Sequence, residues 1–349
     1  MGPENMYDVQ NRIIRNLSAL EEHFIPSRLL HREGQLEAIR DDLQPLINRR
    51  DMRDVFLYGR PGTGKTCMAR YVVEELKKHA SVKSCYVNCW HNSSRFRVLY
   101  SILERMGEVL AIHRKGIPTD ELLDILRSRL KAGHCIVILD EVDKLEEEGI
   151  LYDLTEMERI GLILIANNPE VFFDIDARIR SRLMAMDNIE FPSYTAIELA
   201  DILKDRAELG LLPNAIEKRQ IEAIAEMAGG DARIAIDIMR ISAEDAESRD
   251  LDRIGDNLLA KALPRIKEKD LEKAVMALNE HQRVLLGIVK ARQTAKASDL
   301  YEEYGKKVSE AGIKAANGRT LRKYMEVLVG MKMIGASGEG RWREYSING

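Results

Sequence analysis

The chain lacks the features that define several common protein classes. It has four cysteines and nine prolines in 349 residues, 5% aromatic residues and no long uninterrupted apolar run. The cysteines, Cys67, Cys85, Cys89 and Cys135, do not have the paired spacing of a zinc site, so we expect buried thiols in a reducing cytosol. Because no segment approaches about 20 apolar residues, neither a membrane span nor a secretory signal is predicted.

An excess of one charge is also missing from the chain as a whole. The formal net charge is −4, from 53 basic and 57 acidic residues, which argues against a simple nucleic-acid-binding protein. From His281 to the end, however, 13 Lys and Arg outnumber 7 Asp and Glu. A basic C-terminal part on an acidic remainder predicts that the C-terminal part contacts a polyanion. A chain of this length is expected to form two or three domains.

One glycine-rich segment has a phosphate-binding pattern. An apolar run at 55–58 leads into Gly59, Arg60, Pro61, Gly62, Thr63, Gly64, Lys65 and Thr66, followed by Cys67 and a helical pattern. This strand–loop–helix setting is the one that the G-x-x-x-x-G-K-[ST] pattern requires. The glycines allow backbone N–H groups to face an anion, Lys65 can reach the outer phosphates, and the Thr66 hydroxyl can hold Mg²⁺. The segment therefore predicts binding of a nucleoside triphosphate.

Strand-like and helical patterns alternate through the first half of the chain. The predicted strands are 55–58, 83–88, 135–139, 162–166 and 189–191. Such alternation predicts an α/β fold with a parallel sheet covered on both faces, and a nucleotide at the carboxyl ends of its strands. After Pro192, helical patterns at 195–209, 214–228 and 231–247 predict a small helical domain. The charged segment 250–269, which contains Pro264, is interpreted as a connection.

Polar residues follow two of the predicted strands. Asp140 and Glu141 end the strand-like run at 135–139, where Asp140 can orient the hydration shell of Mg²⁺ and Glu141 can activate an attacking water. Asp143 is either a functional acid or a solvated loop residue. Asn167 follows the next strand and could hold the attacking water or touch the γ-phosphate, although a turn-forming asparagine before Pro169 is the alternative.

Arginines occur at two further places that could meet a phosphate. Arg178, Arg180 and Arg182 precede the strand at 189–191, and one of them could act on a neighbouring subunit's nucleotide, although spacing alone favours a solvated helix face. Arg233 lies in the first turn of a predicted helix, where the helix dipole disfavours a cation. Its position is explained if it reaches an anion such as a γ-phosphate held between two domains.

The basic C-terminal part contains a helical pattern at 318–329, whose apolar residues occupy one face and leave the basic ones outward. A helix of this kind can enter a major groove, while a solvated face of a protein-docking domain is the alternative. Residues 333–347 predict a hairpin that could form a wing, with Trp342 either in the wing or in the core. The residues expected to contact DNA are Arg319, Thr320, Arg322, Lys323, Arg341 and Arg343.

Together these segments resemble an AAA+ ATPase and, more narrowly, the archaeal origin-recognition and helicase-loading initiators of the Orc/Cdc type. The narrower resemblance is carried by the segments 25–33, 140–145, 191–199 and 230–233. It implies an AAA+ nucleotide-binding core at 1–192 with an initiator-type insertion at about 91–133, a helical lid at 193–270, and a winged-helix DNA-binding domain at 271–349. The family's adenine-side residues correspond to Ile25, Leu29 and Leu30.

The resemblance also implies roles and partners. Asn167 would be sensor 1, Arg233 sensor 2, and Arg178 or Arg182 the arginine finger, with Arg182 favoured. The cofactors would be ATP or ADP with Mg²⁺, and hydrolysis would be slow and act as a switch. The implied protein is a cytoplasmic, nucleoid-associated replication initiator that binds origin duplex DNA, recruits or loads an MCM-type helicase, and associates with itself or a paralogue. The alternatives are a clamp-loader-like or remodelling ATPase and an ATP-binding winged-helix transcription regulator.

Overall fold

The computed structural model describes residues 13–107, 117–172, 175–331, 333–338 and 343–347. The chain divides into two compact units, Met1–Leu263 and Pro264–Gly349. Among the described residues, no helix combines the length and the apolar character needed to cross a membrane.

A five-stranded parallel sheet forms the centre of the first unit. Its strands are β1 (Val55–Tyr58), β2 (Lys83–Asn88), β3 (Cys135–Asp140), β4 (Ile160–Ala166) and β5 (Asp187–Glu190). They lie in the order β2-β3-β4-β1-β5, and every residue of β3 and β4 is buried. The predicted parallel sheet is thus confirmed. Full burial of the central strands follows because helices cover both faces of such a sheet.

Within the described part of the chain, six helices accompany the sheet. They are α1 (Glu33–Leu43), α2 (Lys65–Lys77), α3 (Arg95–Arg105), α4 (Thr119–Leu130), α5 (Gly149–Thr155) and α6 (Ala177–Leu183). In the sheet register, Asn88 pairs with Asp140 and Tyr58 with Ala166. The ends of four strands therefore meet at one edge, and the residues that follow them share one surface.

The described residues of the first unit also include three helices that form a lid: α7 (Ala196–Gly210), α8 (Lys218–Ala228) and α9 (Ala232–Glu247). Thr195 and Glu198 form a reciprocal capping box that begins α7, and Gly229, with φ +59°, ends α8 in the left-handed conformation. The helical domain predicted after Pro192 is present at nearly the expected bounds.

The segment 250–269, interpreted as a connection, contains the boundary between the two units, which lies between Leu263 and Pro264. A continuous helix, α10 (Asp256–Ala277), occupies most of this segment and contains Pro264. Its apolar residues Leu258, Leu259, Ala262 and Ile266 are 0–5% exposed and follow helical spacing. Their burial outweighs the roughly 3 kcal/mol that an interior proline costs a helix.

The second unit has the element order of a winged helix. It contains α11 (Glu280–Arg292), β6 (Thr294–Lys296), α12 (Ala297–Glu310), α13 (Gly318–Gly330), β7 (Ile334–Ser337) and β8 (Glu344–Ile347). The strands form an antiparallel sheet in the order β6-β8-β7. The predicted terminal hairpin is confirmed, whereas the three-residue strand β6 was not predicted because so short a strand has no readable alternation.

Candidate nucleotide-binding site

The loop between β1 and α2 needs glycine for steric reasons as well as for its backbone conformation. Gly59, Gly62 and Gly64 have φ values of +144°, +72° and +95°. A Cβ on Gly62 would lie 1.8 Å from an oxygen of Asp231, and one on Gly64 would lie 2.9 Å from the Tyr194 hydroxyl. The loop therefore packs directly against Tyr194 and Asp231, and there is no space for a side chain at Gly62 or Gly64.

Lys65 is buried at the start of α2, with 6% of its surface exposed. Its Nζ donates to the carbonyl oxygens of Gly59 at 2.6 Å and Arg60 at 2.9 Å, and to Asn167 Oδ1 at 3.3 Å. Burial lowers the pKa of Lys65 to about 8, while the Asp140 carboxylate acts in the opposite direction. The loop thus holds a desolvated cation beside the end of β4.

Thr66 and the end of β3 form a hydroxyl–carboxylate pair beside this cation. Thr66 Oγ1 donates to Asp140 Oδ2 at 2.7 Å, and the backbone N–H of Glu141 donates to Asp140 Oδ1 at 2.9 Å. Glu141 has a left-handed backbone, with φ +57°, which is costly for a non-glycine residue and occurs often at functional sites. Burial, followed by the charges of Asp140 and Asp143, raises the pKa of Glu141 above its ordinary value. That shift suits a group that accepts a proton.

The sequence left open whether Asp143 is a functional acid or a solvated loop residue. In the structure it does not line the cavity at this site. Its Oδ2 lies 2.7 Å from Nζ of Lys144, whose ammonium also stacks over the Trp90 ring at 5.6 Å. Asp143 is thus part of a loop ion pair and influences the site through its charge on Glu141.

The cavity has a volume of about 710 Å³, and all its walls belong to the first unit. Phosphate-loop residues from Pro61 to Cys67 form one wall, together with Asp140, Glu141 and Asn167. The predicted adenine-side residues Ile25, Leu29 and Leu30 form part of another, apolar wall. Gly59 and Arg60 contribute through the carbonyl groups that hold Lys65.

Two buried arginines, which sequence reasoning did not single out, fix the N-terminal segment that carries this apolar wall. Arg206 is 6% exposed, donates to the carbonyl oxygens of Ala19 and Phe24, and stacks over the Phe24 ring at 4.7 Å. Arg32 is 4% exposed and donates to the carbonyl oxygens of Thr63 and Pro192. Arg32 therefore links the phosphate loop to the connection between the core and the lid.

The start of α9, the last helix of the lid, contacts the phosphate loop. The backbone N–H of Ala232 donates to the Gly62 carbonyl at 3.0 Å, and the Asp231 carboxylate caps α9 by accepting from the N–H groups of Arg233 and Ile234. The Arg233 guanidinium lines the cavity, with Asp231 at 3.1 Å and Glu22 at 3.8 Å. Arg233 is thus on the lid side of the same cavity as Lys65.

These residues fit a nucleoside triphosphate with magnesium. The glycine loop forms one wall of the cavity, and the cations Lys65 and Arg233 line the same cavity. Thr66 and Asp140 offer the oxygen atoms that Mg²⁺ prefers, either directly or through bound water. When bound, magnesium would neutralise charge on the phosphate oxygens.

The remaining predicted residues lie outside this cavity. On α6, Arg182 pairs with Glu156 and stacks over Tyr152, while Arg178 pairs with Asp176. In the second unit, Arg319, Arg322 and Lys323 are exposed on α13, and Thr320 is half-buried and bonds to its cap, Asn317. Arg343 stacks over Tyr345, and Arg341 and Trp342 lie outside the described residues.

The fold and the cavity define an AAA+ ATPase. A family profile described as "AAA domain" matches residues 48–171, and one described as "Cdc6 AAA+ ATPase-type lid domain" matches residues 200–263.

Whole-chain relatives narrow this class. The "ORC1-type DNA replication protein 9" of Halobacterium salinarum is 36% identical over 341 residues, covering 97% of this chain and 95% of the relative. The chain belongs to the ORC1/Cdc6-type replication initiators. Among solved structures, the Aeropyrum pernix ORC1 protein in complex with DNA has a TM-score of 0.85, with 29% identity over 96% of this chain and 94% of that one. The Aeropyrum pernix ORC2 protein in ADPNP–ADP complexes has a TM-score of 0.63, with 25% identity and the same coverage.

Proposed function

We propose that this initiator binds ATP with Mg²⁺, binds origin duplex DNA, and helps to recruit or load an MCM-type replicative helicase. Residues 1–192 would bind the nucleotide, 193–270 would close over it, and 271–349 would contact DNA. The protein would act in the cytoplasm at the nucleoid, with a second copy or a paralogous initiator. The Aeropyrum pernix relatives, one in complex with DNA and one with adenine nucleotides, support the two binding activities.

The contact of the lid with the phosphate loop carries the proposal that the nucleotide acts as a switch. Ala232 donates to Gly62, and Asp231 fills the space above this glycine. A ligand that alters the loop must therefore alter the start of α9 as well. A ligand shifts a conformational equilibrium only if its contacts differ between the two states. The contact between the phosphate loop and the start of α9 can therefore couple nucleotide binding to the position of the lid.

Hydrolysis would use the residues at the carboxyl edge of the sheet. Glu141 would accept a proton from the water that attacks the terminal phosphate, and Asn167 and Arg233 would hold that phosphate and water in place. Turnover by one copy would be slow, because an arginine supplied in trans is worth about 10³–10⁵ in rate. We assign that arginine to Arg182, with Arg178 as the alternative. The assignment requires that an inactive Arg182→Ala protein regain turnover when mixed with a Glu141→Gln protein.

DNA binding is proposed for the basic face of α13. Arg319, Arg322 and Lys323 are exposed, whereas Leu321, Met325 and Leu328 on the same helix are buried in the core of the second unit. The helix thus keeps its fold through one face and offers three cations on the other. Cations near the start of a helix can reach phosphates and base edges in a major groove.

The test is a fluorescence-anisotropy titration of origin duplex over a range of salt concentrations. Replacing Arg319, Arg322 and Lys323 by Ala should weaken binding and reduce the log–log salt slope by roughly 0.9 for each phosphate that the protein no longer neutralises. The matched control removes the same charge at Arg292, Lys306 and Lys307, which are paired with acids on α12. An unchanged slope in the first variant, or an equally weakened slope in the control, would refute the assignment. Footprinting on origin and promoter DNA would separate initiation from transcriptional control.

A further inference from the structure

Tyr86 contacts the carboxylate of Asp140, the residue expected to orient magnesium, and was not itself predicted as a site residue. It lies on β2, two residues before the end of that strand, and is half-buried in the cavity wall. Its hydroxyl donates to Asp140 Oδ2 at 2.9 Å. The Thr66 hydroxyl donates to the same oxygen at 2.7 Å, so two side chains from different elements converge on one atom.

The surroundings of Tyr86 direct its proton to Asp140. The partner of the Tyr86 hydroxyl is a carboxylate oxygen, which accepts, so the phenol is the donor in this hydrogen bond. The Arg70 guanidinium lies 5.8 Å from the ring centroid and holds the ring from α2.

The three donors leave little acceptor capacity on Asp140. An ionised carboxylate has about four acceptor positions. Thr66 and Tyr86 occupy Oδ2, and the backbone N–H of Glu141 occupies one position on Oδ1. About one position on Oδ1 therefore stays open, and the carboxylate cannot rotate without breaking a hydrogen bond.

We propose that Tyr86 is a positioning residue for magnesium: it fixes Asp140 so that its one open acceptor position meets the hydration shell of the ion beside Thr66. The proposal rests on the proposed nucleotide function and adds a residue to it. Partners of metal-orienting groups commonly change metal affinity about 10- to 100-fold when removed. Since Asp140 would act through bound water, the low end of that range applies.

The test uses Tyr86→Phe, which removes one oxygen and keeps the ring. Binding of a fluorescent methylanthraniloyl-ATP to the full chain is measured with EDTA and then over a series of Mg²⁺ concentrations. We expect unchanged affinity in EDTA and about a tenfold higher Mg²⁺ concentration at half-saturation. The matched control is Tyr71→Phe, which removes a hydroxyl that bonds to the Ser27 carbonyl, away from Asp140, and should leave the Mg²⁺ concentration at half-saturation at its wild-type value.

A second measurement separates positioning from general support of the fold. In an Asp140→Asn background, the further change Tyr86→Phe should leave the Mg²⁺ requirement unaltered, because the carboxylate it orients is gone. Unaltered Mg²⁺ dependence in the single variant, or an equal fall in affinity with and without Mg²⁺, would overturn the role of Tyr86. A wild-type protein whose nucleotide binding ignores Mg²⁺ would instead count against the proposed metal site itself.

Discussion

Both ends of the parallel sheet carry clustered acidic residues, yet only the carboxyl end has the surroundings of a nucleotide site. There Asp140 accepts three hydrogen bonds from the chain and lies near the buried Lys65. At the amino end, Asp42 from α1 is 2% exposed and lies beside Asp187, the first residue of β5. Its cationic neighbour, Arg53, is 3.4 Å away and largely exposed to solvent.

The difference lies in which groups compensate the buried carboxylate. Among the described residues, Asp42 Oδ2 has no hydrogen-bond donor, so it can bond to Asp187 only when one of the two carboxyl groups carries a proton. Burial first, and then Asp187, raise the pKa of Asp42 to about 7. Acids alone therefore do not make a metal or phosphate site. At the carboxyl end, backbone and hydroxyl donors, a glycine loop and a buried cation form such a site. At the amino end, the buried carboxylate lacks these groups, and its raised pKa favours a bound proton instead.

The largest effect should come from Glu141→Gln at the carboxyl end. The amide cannot accept the proton of the attacking water, so turnover should fall about 10²- to 10⁴-fold. Nucleotide affinity and the melting temperature should stay close to those of the wild type, because the residue is half-buried and its backbone N–H still bonds to Asp140. Single-turnover kinetics with parallel binding assays measure this. Full turnover by the variant would show that another group activates the water.

Lys65→Ala should give the next largest effect. Removal of a buried cation that would face phosphate should cost about 2–3 kcal/mol, or roughly 30- to 150-fold in ATP affinity. Lys78 at the end of α2 is the matched control, since it is exposed and pairs with Glu75. Calorimetric titration of both variants checks the prediction. Equal ATP affinity of Lys65→Ala and Lys78→Ala would contradict the assignment of the nucleotide site to the carboxyl edge of the sheet.

The carboxyl end was the part that the sequence predicted well. The phosphate loop, Asp140 and Asn167 each follow a readable strand, so local pattern and chain order place them at one edge. Tyr86 and the buried arginines gave no such signal. A tyrosine within a strand and an arginine within a helix look like ordinary residues, and their roles depend on partners as distant in sequence as Arg206 is from Ala19.

The amino end could not be predicted, for a related reason. Asp42, Asp54 and Asp187 are far apart in sequence and read as solvated acids at element ends, the usual state of aspartate. The register of β1 with β5, which pairs Val55 with Asp187, and the packing of α1 against β5 bring them to one place. Helix α10 was missed because the cost of its proline is visible in the sequence, whereas the tertiary burial that offsets it is not.

The smallest effect, and one confined to stability, is expected for Asp42→Asn. The pKa of Asp42 is about 7 in the folded chain against 3.8 for an ordinary aspartate. As pH rises from about 4 to about 7, the unfolded chain loses this proton first, so wild-type stability should fall over that window. An asparagine cannot ionise and can donate to Asp187 at every pH. The variant should therefore be more stable than the wild type at pH 8, by on the order of 1–2 kcal/mol, and similar to it near pH 4.

Urea unfolding between pH 4 and 8 measures this effect, with Glu37→Gln, an exposed acid on α1, as the control. A weaker slope should persist in Asp42→Asn, because burial also raises the pKa of Asp54 to about 6, against the opposing hydrogen bond from the Leu162 N–H. ATP affinity and Mg²⁺ dependence should not change, since the residue lies at the opposite end of the sheet from the cavity. An undiminished slope would mean that Asp42 is ionised in the folded chain. The two ends of the sheet would then differ in their hydrogen-bond donors and not in the protonation of their carboxylates.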